Sequence, residues 1–423
     1  MTRWIIVVCF AACTSEPRLA TLGEALVTGP SNIANTPTAS TLAFNFGNSL
    51  AVDGGGQLHA VWTEGSATSA SVAYTRSSDN GATWSAPGLF GTGAIPAGFQ
   101  STLGPRVAAS GSDIYIAWSG TYEGYPRIYL IHSANAGQTF TAPVAVSDPR
   151  IAASLPSLAA SSALVAVAWS DQRSKLVGGV ASTYAEVYAR TSRDRGTTFA
   201  PTVAVSVPDR FSSWTPAIAV QGTELHVAWT DERFDTADCT DANTACQEEE
   251  FYRRSVDGGA TWGPEVRLTH DAVGAPKSSW APSIVVANAT VHIAYFDFRT
   301  GPARIYYQRS TDGGATWAEQ RISSASDLQP SARPVLSVIG GNVRMVFWRG
   351  PESGGPSDVY FAASSAAGAA GSWTTPVALT ANIGHTTNSA LQPQVVLSPN
   401  GSNHVIWMDD RTGHRQVFYA RID

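Results

Sequence analysis

The sequence predicts an all-β protein: a seven-bladed β-propeller of four-stranded antiparallel blades, closed by the N-terminal strand joining the last blade. Three observations predict it. A unit of short strands recurs through the chain with a period of roughly 58 residues. A Gly-rich turn of nearly constant sequence returns at one place in that unit. The segment GEALVTGP near the start reads like the last strand of each unit, whereas the chain runs out at QVFYARID with that strand missing. Antiparallel sheets that cannot bury both faces alone stack around an axis, and joining the chain ends removes the exposed edge. Two consecutive β-sandwiches would have no cause to keep one turn at one spacing throughout.

The turn is sharpest in SSDNGATW (Ser77, Asp79, Gly81, Thr83, Trp84), SRDRGTTF (Ser192 to Phe199), SVDGGATW (Ser255 to Trp262) and STDGGATW (Ser310 to Trp317). SANAGQTF around Asn135 and an eroded copy ending at Trp373 fill the gaps. A short carboxylate accepts backbone N–H bonds within its own turn, Gly supplies a positive φ, and the aromatic enters the apolar layer beneath. Each copy is a local staple for a hairpin. The first strands are expected at Ser49 to Asp53, Arg106 to Ser110, Ser157 to Ser161, Ala217 to Gln221, Ser283 to Ala287, Val335 to Ile339 and Gln394 to Ser398. That makes seven units.

Composition agrees with one large repetitive domain. The chain has 423 residues, 27 basic against 33 acidic side chains and 14% charged residues; only a repeat extends a core past roughly 250–300 residues. Lys175 and Lys277 are the only lysines, and no basic block offers itself to a phosphate backbone, so nucleic acid is excluded as a partner. Past the N-terminus no apolar run approaches the ~20 residues of a membrane span.

The first thirteen residues, MTRWIIVVCFAAC, read as an export signal: one Arg, an apolar stretch, then two alanines before Cys13. Small residues before Cys13 and a polar TSEP after it resemble a bacterial lipoprotein cleavage box, which implies lipid attachment at Cys13. The expected location is the cell envelope or the exterior, with membrane contact only through that anchor. Residues 22–423 then form a single propeller domain, expected to be monomeric. Once the signal is set aside, Cys239 and Cys246 remain to pair in an oxidising compartment.

The Ser-x-Asp-x-Gly-x-Thr-Trp turns resemble the Asp-box, or BNR, repeats of the sialidase superfamily, and the resemblance spans nearly the whole mature chain. It implies a propeller, glycan partners and, if catalytic, glycoside hydrolysis. The same turn occurs in non-catalytic receptors and assembly factors, so function rests on the site. Sialidases carry an Arg-Ile-Pro or Arg-Leu-Pro segment near the first blade; here that region reads TLAFNFGNSLAVDGG, without an arginine.

Strand parity puts the repeated turns on one face of the ring, and the loops between strands two and three and between units on the other. Those loops are the place to look for chemistry. The two-to-three loops open with WSDQR (Asp171, Arg173), WTDER (Asp231, Arg233), YFDFR (Asp297, Arg299) and WMDDR (Asp409, Arg411). On one reading the arginines clamp an anionic sugar and Asp231 or Asp297 is a general acid. On the other, each Asp binds its own Arg and fixes the loop. Units that break the string are informative: Glu64 in the first, Tyr122 and Glu123 in the second, Arg349 and Glu352 in the sixth. A Tyr beside a Glu is similar to the nucleophile and base of sialidases, which makes Tyr122 and Glu123 catalytic candidates.

DRFSSWTP and PKSSWAP place Trp214 and Trp280 at equivalent sites of neighbouring units, with Arg210 and Lys277 close by and Arg333 in the next. Indole faces stack on the apolar patches of sugar rings, so Trp214, Trp280, Arg233, Arg299 and Arg333 are the substrate-binding candidates. His59, His226, His292 and His404 recur at one strand position and read as structural; no spacing suggests zinc. His270 and His385 lack such repetition and stand as minor candidates. The insertion FDTADCTDANTACQEEE is expected to form a solvated acidic loop, able to hold calcium around Asp238 and Asp241; no other cofactor is implied. Two functions follow: an exported, exo-acting glycoside hydrolase on acidic sugars, or a non-catalytic binding or assembly propeller at the cell surface.

Overall fold

In a computed structural model the chain forms seven four-stranded antiparallel blades around an axis. The structure describes residues 26–42, 48–66, 69–90, 102–122, 125–173, 175–177, 180–182, 184–234, 247–270, 277–324, 326–351, 356–380 and 391–422. Blade 1 comprises Leu50–Val52, Leu58–Ser66, Ser69–Ser77 and Gly88–Phe90, with Ser40–Thr41 added beside its second strand. Blade 4 comprises Ser213–Gln221, Glu224–Asp231, Glu249–Ser255 and Val266–Arg267, and blade 5 Ser279–Ala287, Thr290–Asp297, Arg304–Ser310 and Ala318–Arg321. Blades 2, 3 and 6 repeat that order. Blade 7 has three late strands, and its fourth is Leu26–Asn32, paired antiparallel with Gln416–Ile422.

First strands of successive blades touch around the whole ring, the last against the first. The core is divided accordingly. Seven apolar clusters fill the seams, one between each pair of neighbouring blades, such as Val61, Val72 and Tyr74 of blade 1 against Val107, Ile116 and Trp118 of blade 2. Alternation along each strand sends one face to each neighbour, so every blade buries both faces only between its two neighbours.

The repeated turns are knit as their sequence requires. In the blade 5 copy, Ser310 Oγ donates to Asp312 Oδ1 at 2.7 Å, Gly314 N donates to Ser310 Oγ at 2.7 Å, and Thr316 N and Oγ1 donate to the two carboxylate oxygens at 2.9 and 2.5 Å. The turn aromatic packs against the preceding blade: Trp317 stands edge-on to Tyr252, with ring centroids 4.9 Å apart. Trp84 meets Tyr419 and Trp373 meets Tyr307 in the same way. Each of these tyrosines lies beside the strand-two histidine of its own blade, with His226 Nδ1 and Tyr252 Oη 2.7 Å apart. Burial, helped by the nearby Arg254 charge, pulls the His226 pKa down to about 4, so the ring is neutral near pH 7. The four histidines are parts of seams.

Whereas the first strand of blade 1, Leu50–Val52, lies within its expected bounds, the first strands of blades 2 to 7 begin earlier than expected. Their Pro is not a boundary but sits inside the strand at a β-bulge: Gly104, Leu155, Thr215, Ala281, Arg333 and Gln392 all precede Pro and all have positive φ, between 51° and 61°. The register shifts at each of these sites. Proline lacks the N–H a ladder needs and is tolerated in sheets at bulges, and five of the six non-helical left-handed residues before it are not glycine. Trp214 and Trp280 are therefore strand residues held at the bulge.

Candidate functional site

Every strand two that ends in Asp builds the same clamp. Asp231 is fully buried and accepts from Trp229 Nε1 at 3.0 Å, from Arg233 N at 3.0 Å and from Arg233 Nε and Nη2 at 2.8 and 2.6 Å. The guanidinium lies over the Phe251 ring, 4.5 Å from its centre, and also bonds Glu265 at 2.6 Å. Arg299 repeats this with Asp297, Tyr306 and Glu319, and Arg173 with Asp171, Tyr188 and Asp148. Burial alone would lower the Arg233 and Arg299 pKa values, but the hydrogen bonds and charges of their carboxylates raise both. Each of these cations is engaged by two carboxylates and an aromatic ring of the protein itself.

The blades that break the string keep the clamp by other means. Glu64 replaces Asp in blade 1, and instead of an arginine it receives Thr36 Oγ1 and Ser40 Oγ at 2.7 Å, Thr38 Oγ1, and Trp62 Nε1 at 2.7 Å. Blade 6 inverts the polarity: Arg349 stands at the Asp position, stacks on Tyr360 at 3.9 Å and pairs with Asp327 at 2.6 Å. Tyr122 ends strand two of blade 2. Its side chain, together with Glu123, Glu352, His385, Asp238, Asp241, Cys239, Cys246 and Cys13, lies outside the described residues.

Blades 4 and 5 differ from the others. Trp214 and Trp280 lie on adjacent first strands with ring centroids 6.4 Å apart and planes tilted by 42°, each half-buried. Trp280 Nε1 donates to Glu248. The acidic run does not form a solvated loop at its C-terminal end: Glu248, Glu249 and Glu250 are 2%, 0% and 0% exposed and lead into strand three. The reason is their strand register, which sets Glu249 opposite Asp231 and Glu250 opposite Thr230. Glu249 is bound by Arg267 at 2.6 Å and by Thr269. Glu250 faces blade 5, where burial, and then the negative charges of Glu248, Glu249 and Asp297, push its pKa well up against the opposing Thr230 hydrogen bond. Among the described residues no group of three or more His, Cys, Asp or Glu could hold a metal ion.

Thr230 Oγ1 donates to Glu250 Oε1 at 3.2 Å, and Thr215 Oγ1 to Thr230 Oγ1 at 2.8 Å. Sequence reasoning missed Glu250 because three consecutive glutamates beside an insertion read as solvent-facing. Aligning the seven units would have found it. Arg333 stands at the bulge of blade 6, where burial lowers its pKa to about 10. Arg210 and His270 are exposed. The structure thus brings Trp214, Trp280, Asp297 and Glu250 to one seam and ties Arg233 and Arg299 to clamps beside it.

No family model and no curated protein matches the chain. Solved structures do. An ulvan lyase of a new polysaccharide lyase family, bound to a GlcA(1-4)Rha3S unit, matches with a TM-score of 0.60 at 11% identity, over 92% of this chain and 95% of that one. The phage phi92 endosialidase matches with a TM-score of 0.53 at 12% identity, over 93% and 69%. A Hadza microbial sialidase gives a TM-score of 0.45 at 15% identity over 72% of this chain, which spans 63% of that protein's length. At such identities the likeness is one of fold alone: the chain is a seven-bladed β-propeller whose fold is similar to those of the ulvan lyase and the endosialidase.

Proposed function

We propose that the protein engages glycans on its loop-bearing face, at the seam of blades 4 and 5. The observation that carries this reading is the Trp214–Trp280 pair: two half-buried indoles on neighbouring first strands, tilted by 42°, with Trp280 Nε1 donating to Glu248. A tilted pair of flat apolar surfaces beside carboxyl and hydroxyl groups suits the apolar faces and hydroxyls of a sugar. The polysaccharide-acting ulvan lyase of the same fold supports it. We further propose that the protein is exported, with Cys13 as its lipid attachment site.

A clamp on acidic sugars by Arg233 and Arg299 would require each to leave two carboxylates, so contact through the indoles is the better reading of this geometry. The self-neutralised clamps specifically favour a second reading, in which the propeller binds glycans without cleaving them.

The test is affinity electrophoresis of residues 22–423 in gels containing ulvan, polygalacturonate, arabinan or polysialic acid. At least one polymer should retard the wild type, and W214A and W280A should each weaken that retardation about tenfold or more, equivalent to about 1.4 kcal/mol. Retardation unchanged in both variants, or by no polymer, overturns the reading. Metabolic labelling with palmitate, lost in C13A, tests the anchor.

A further inference from the structure

Seven copies of one unit serve as an internal standard, and blade 4 departs from it along one line. In strand three, the residue after the one paired with the clamp position of strand two (Asp231 in blade 4, which pairs with Glu249) is a fully buried aliphatic in six blades: Val72, Ile128, Val187, Ile305, Val359 and Val417. Strand pairing sets these opposite Thr63, Ser119, Ser170, Phe296, Trp348 and Met408. In blade 4 the same place holds Glu250, also 0% exposed, opposite Thr230. A carboxyl in a slot built for valine loses its water, and Glu250 Oε2 has no hydrogen-bond partner.

The bulge residue before Pro departs in the same blade. It is Gly104, Leu155, Ala281, Arg333 or Gln392 elsewhere, and Thr215 here. Thr215, Thr230 and Glu250 therefore form a continuous file of oxygens, 2.8 and 3.2 Å apart, from the interior to the bulge beside Trp214. Among the described residues no other blade has a hydroxyl at both the bulge and the strand-two position with a carboxyl behind them. Hydroxyl rotors reverse freely. With Glu250 ionised the file points inward, each threonine donating toward the carboxylate; with Glu250 protonated it can point outward.

We propose that Glu250 supplies a proton to the glycan site through Thr230 and Thr215, which makes the seam a hydrolytic centre and not only a binding surface. This rests on glycan binding at Trp214 and Trp280. Glu250 does not touch the sugar; it is a positioning residue that acts through the threonines. The Glu250 proton passes to Thr230 Oγ1, the Thr230 proton to Thr215 Oγ1, and the Thr215 proton to the glycosidic oxygen. That oxygen keeps the electron pair of the broken C–O bond and leaves as an alcohol. Water adds to the anomeric carbon, and its proton returns along the same file to the Glu250 carboxylate. Among the described residues, Glu248 and Glu249 of its own blade and Asp297 of blade 5 act on Glu250, and each favours the protonated state.

The experiment uses the polysaccharide that retards the wild type, with E250V and T230V as variants. Valine is what other blades carry at position 250, so E250V is expected to fold. Wild type should release reducing ends. E250V should release them at least 100-fold more slowly with retardation intact, the usual scale of a lost general acid. T230V should lower the rate about tenfold and move the alkaline limb of the pH profile. An infrared band of a neutral carboxyl at pH 7, absent in E250V, should be present in the wild type. Equal rates for E250V and wild type, a retained but uncleaved polymer, or absence of that band each overturn the proposal while leaving glycan binding standing. A panel in which nothing is retained overturns both.

Discussion

The phenol of Tyr252 in blade 4 occupies the space that a Cβ on Gly314 in blade 5 would need, and Gly314 is at φ +96°. The glycine of the repeated turn is thus required twice: by its own backbone and by the neighbouring blade. Tyr419 stands against Gly81, Tyr74 against Gly137 and Tyr307 against Gly368 in the same way. The turn that looks like a local staple is also the latch between blades.

G314A should therefore destabilise the protein far more than G340A. Both glycines have positive φ, but nothing lies within 4 Å of a Cβ at Gly340. G340A should cost about 1–2 kcal/mol, the strain of a left-handed alanine. G314A must in addition displace Tyr252, which is 2% exposed, from Trp317 and His226. Urea denaturation of the two variants checks this; equal losses would show that the tyrosine yields without cost.

Removing a clamp cation should affect stability and leave glycan binding alone. R233A strands Asp231, 0% exposed, next to Glu265 and Asp209, with only neutral donors left to it: Trp229 Nε1, Ser213 Oγ and the backbone N–H at position 233. The expected loss is about 3 kcal/mol, at the low end for a broken buried pair because the guanidinium is 18% exposed. Chemical denaturation gives the loss, and affinity electrophoresis should give unchanged retardation. A weakened retardation with full stability would return Arg233 to the sugar.

The seven units and their turns were legible because a repeat supplies its own controls: Ser, Asp, Gly, Thr and an aromatic at fixed offsets admit one hairpin chemistry. The Asp-x-Arg strings were legible as pairs but not as roles, since sequence does not tell whether Arg233 faces Asp231 or a ligand. Strand one of blades 2 to 7 starts earlier than the sequence suggests because proline reads as a boundary, whereas Thr215 and Ala281 take positive φ and let the strand run through it. Glu250 reads as solvated because its neighbours in sequence are acidic; its neighbours in space are Thr230 and blade 5. Local composition misjudges a residue whose environment is set by another blade.

The turn carboxylates should titrate low. Hydrogen bonds from Thr261 Oγ1 and N, and from Ser255, hold the Asp257 pKa down to about 2, and those from Ser192 and Thr198 do the same for Asp194. A depressed carboxylate contributes stability above its unfolded value near 3.9, and that contribution is lost as pH falls through the folded value. Carbon-detected NMR of the side-chain carboxyls should give midpoints near 2, moving up toward the ordinary range in T261A for Asp257 alone.

Glu250 should show the opposite sign. Its folded pKa is raised, so the native state holds a proton that the unfolded chain releases near the ordinary value of about 4.3. Whatever stability the neutral carboxyl has is present below that value and is eroded as pH rises toward the folded pKa, at up to about 1.4 kcal/mol per pH unit for one proton. E250V has nothing to release. Its stability advantage over the wild type should therefore widen from pH 4 upward, and T230V, which deletes the hydroxyl that favours the ionised form, should extend the decline to higher pH than in the wild type. Thermal melts of the three proteins between pH 4 and 8 decide it: parallel curves for wild type and E250V would mean that Glu250 ionises in the folded state as readily as in water, and that the slot between blades 4 and 5 is wet.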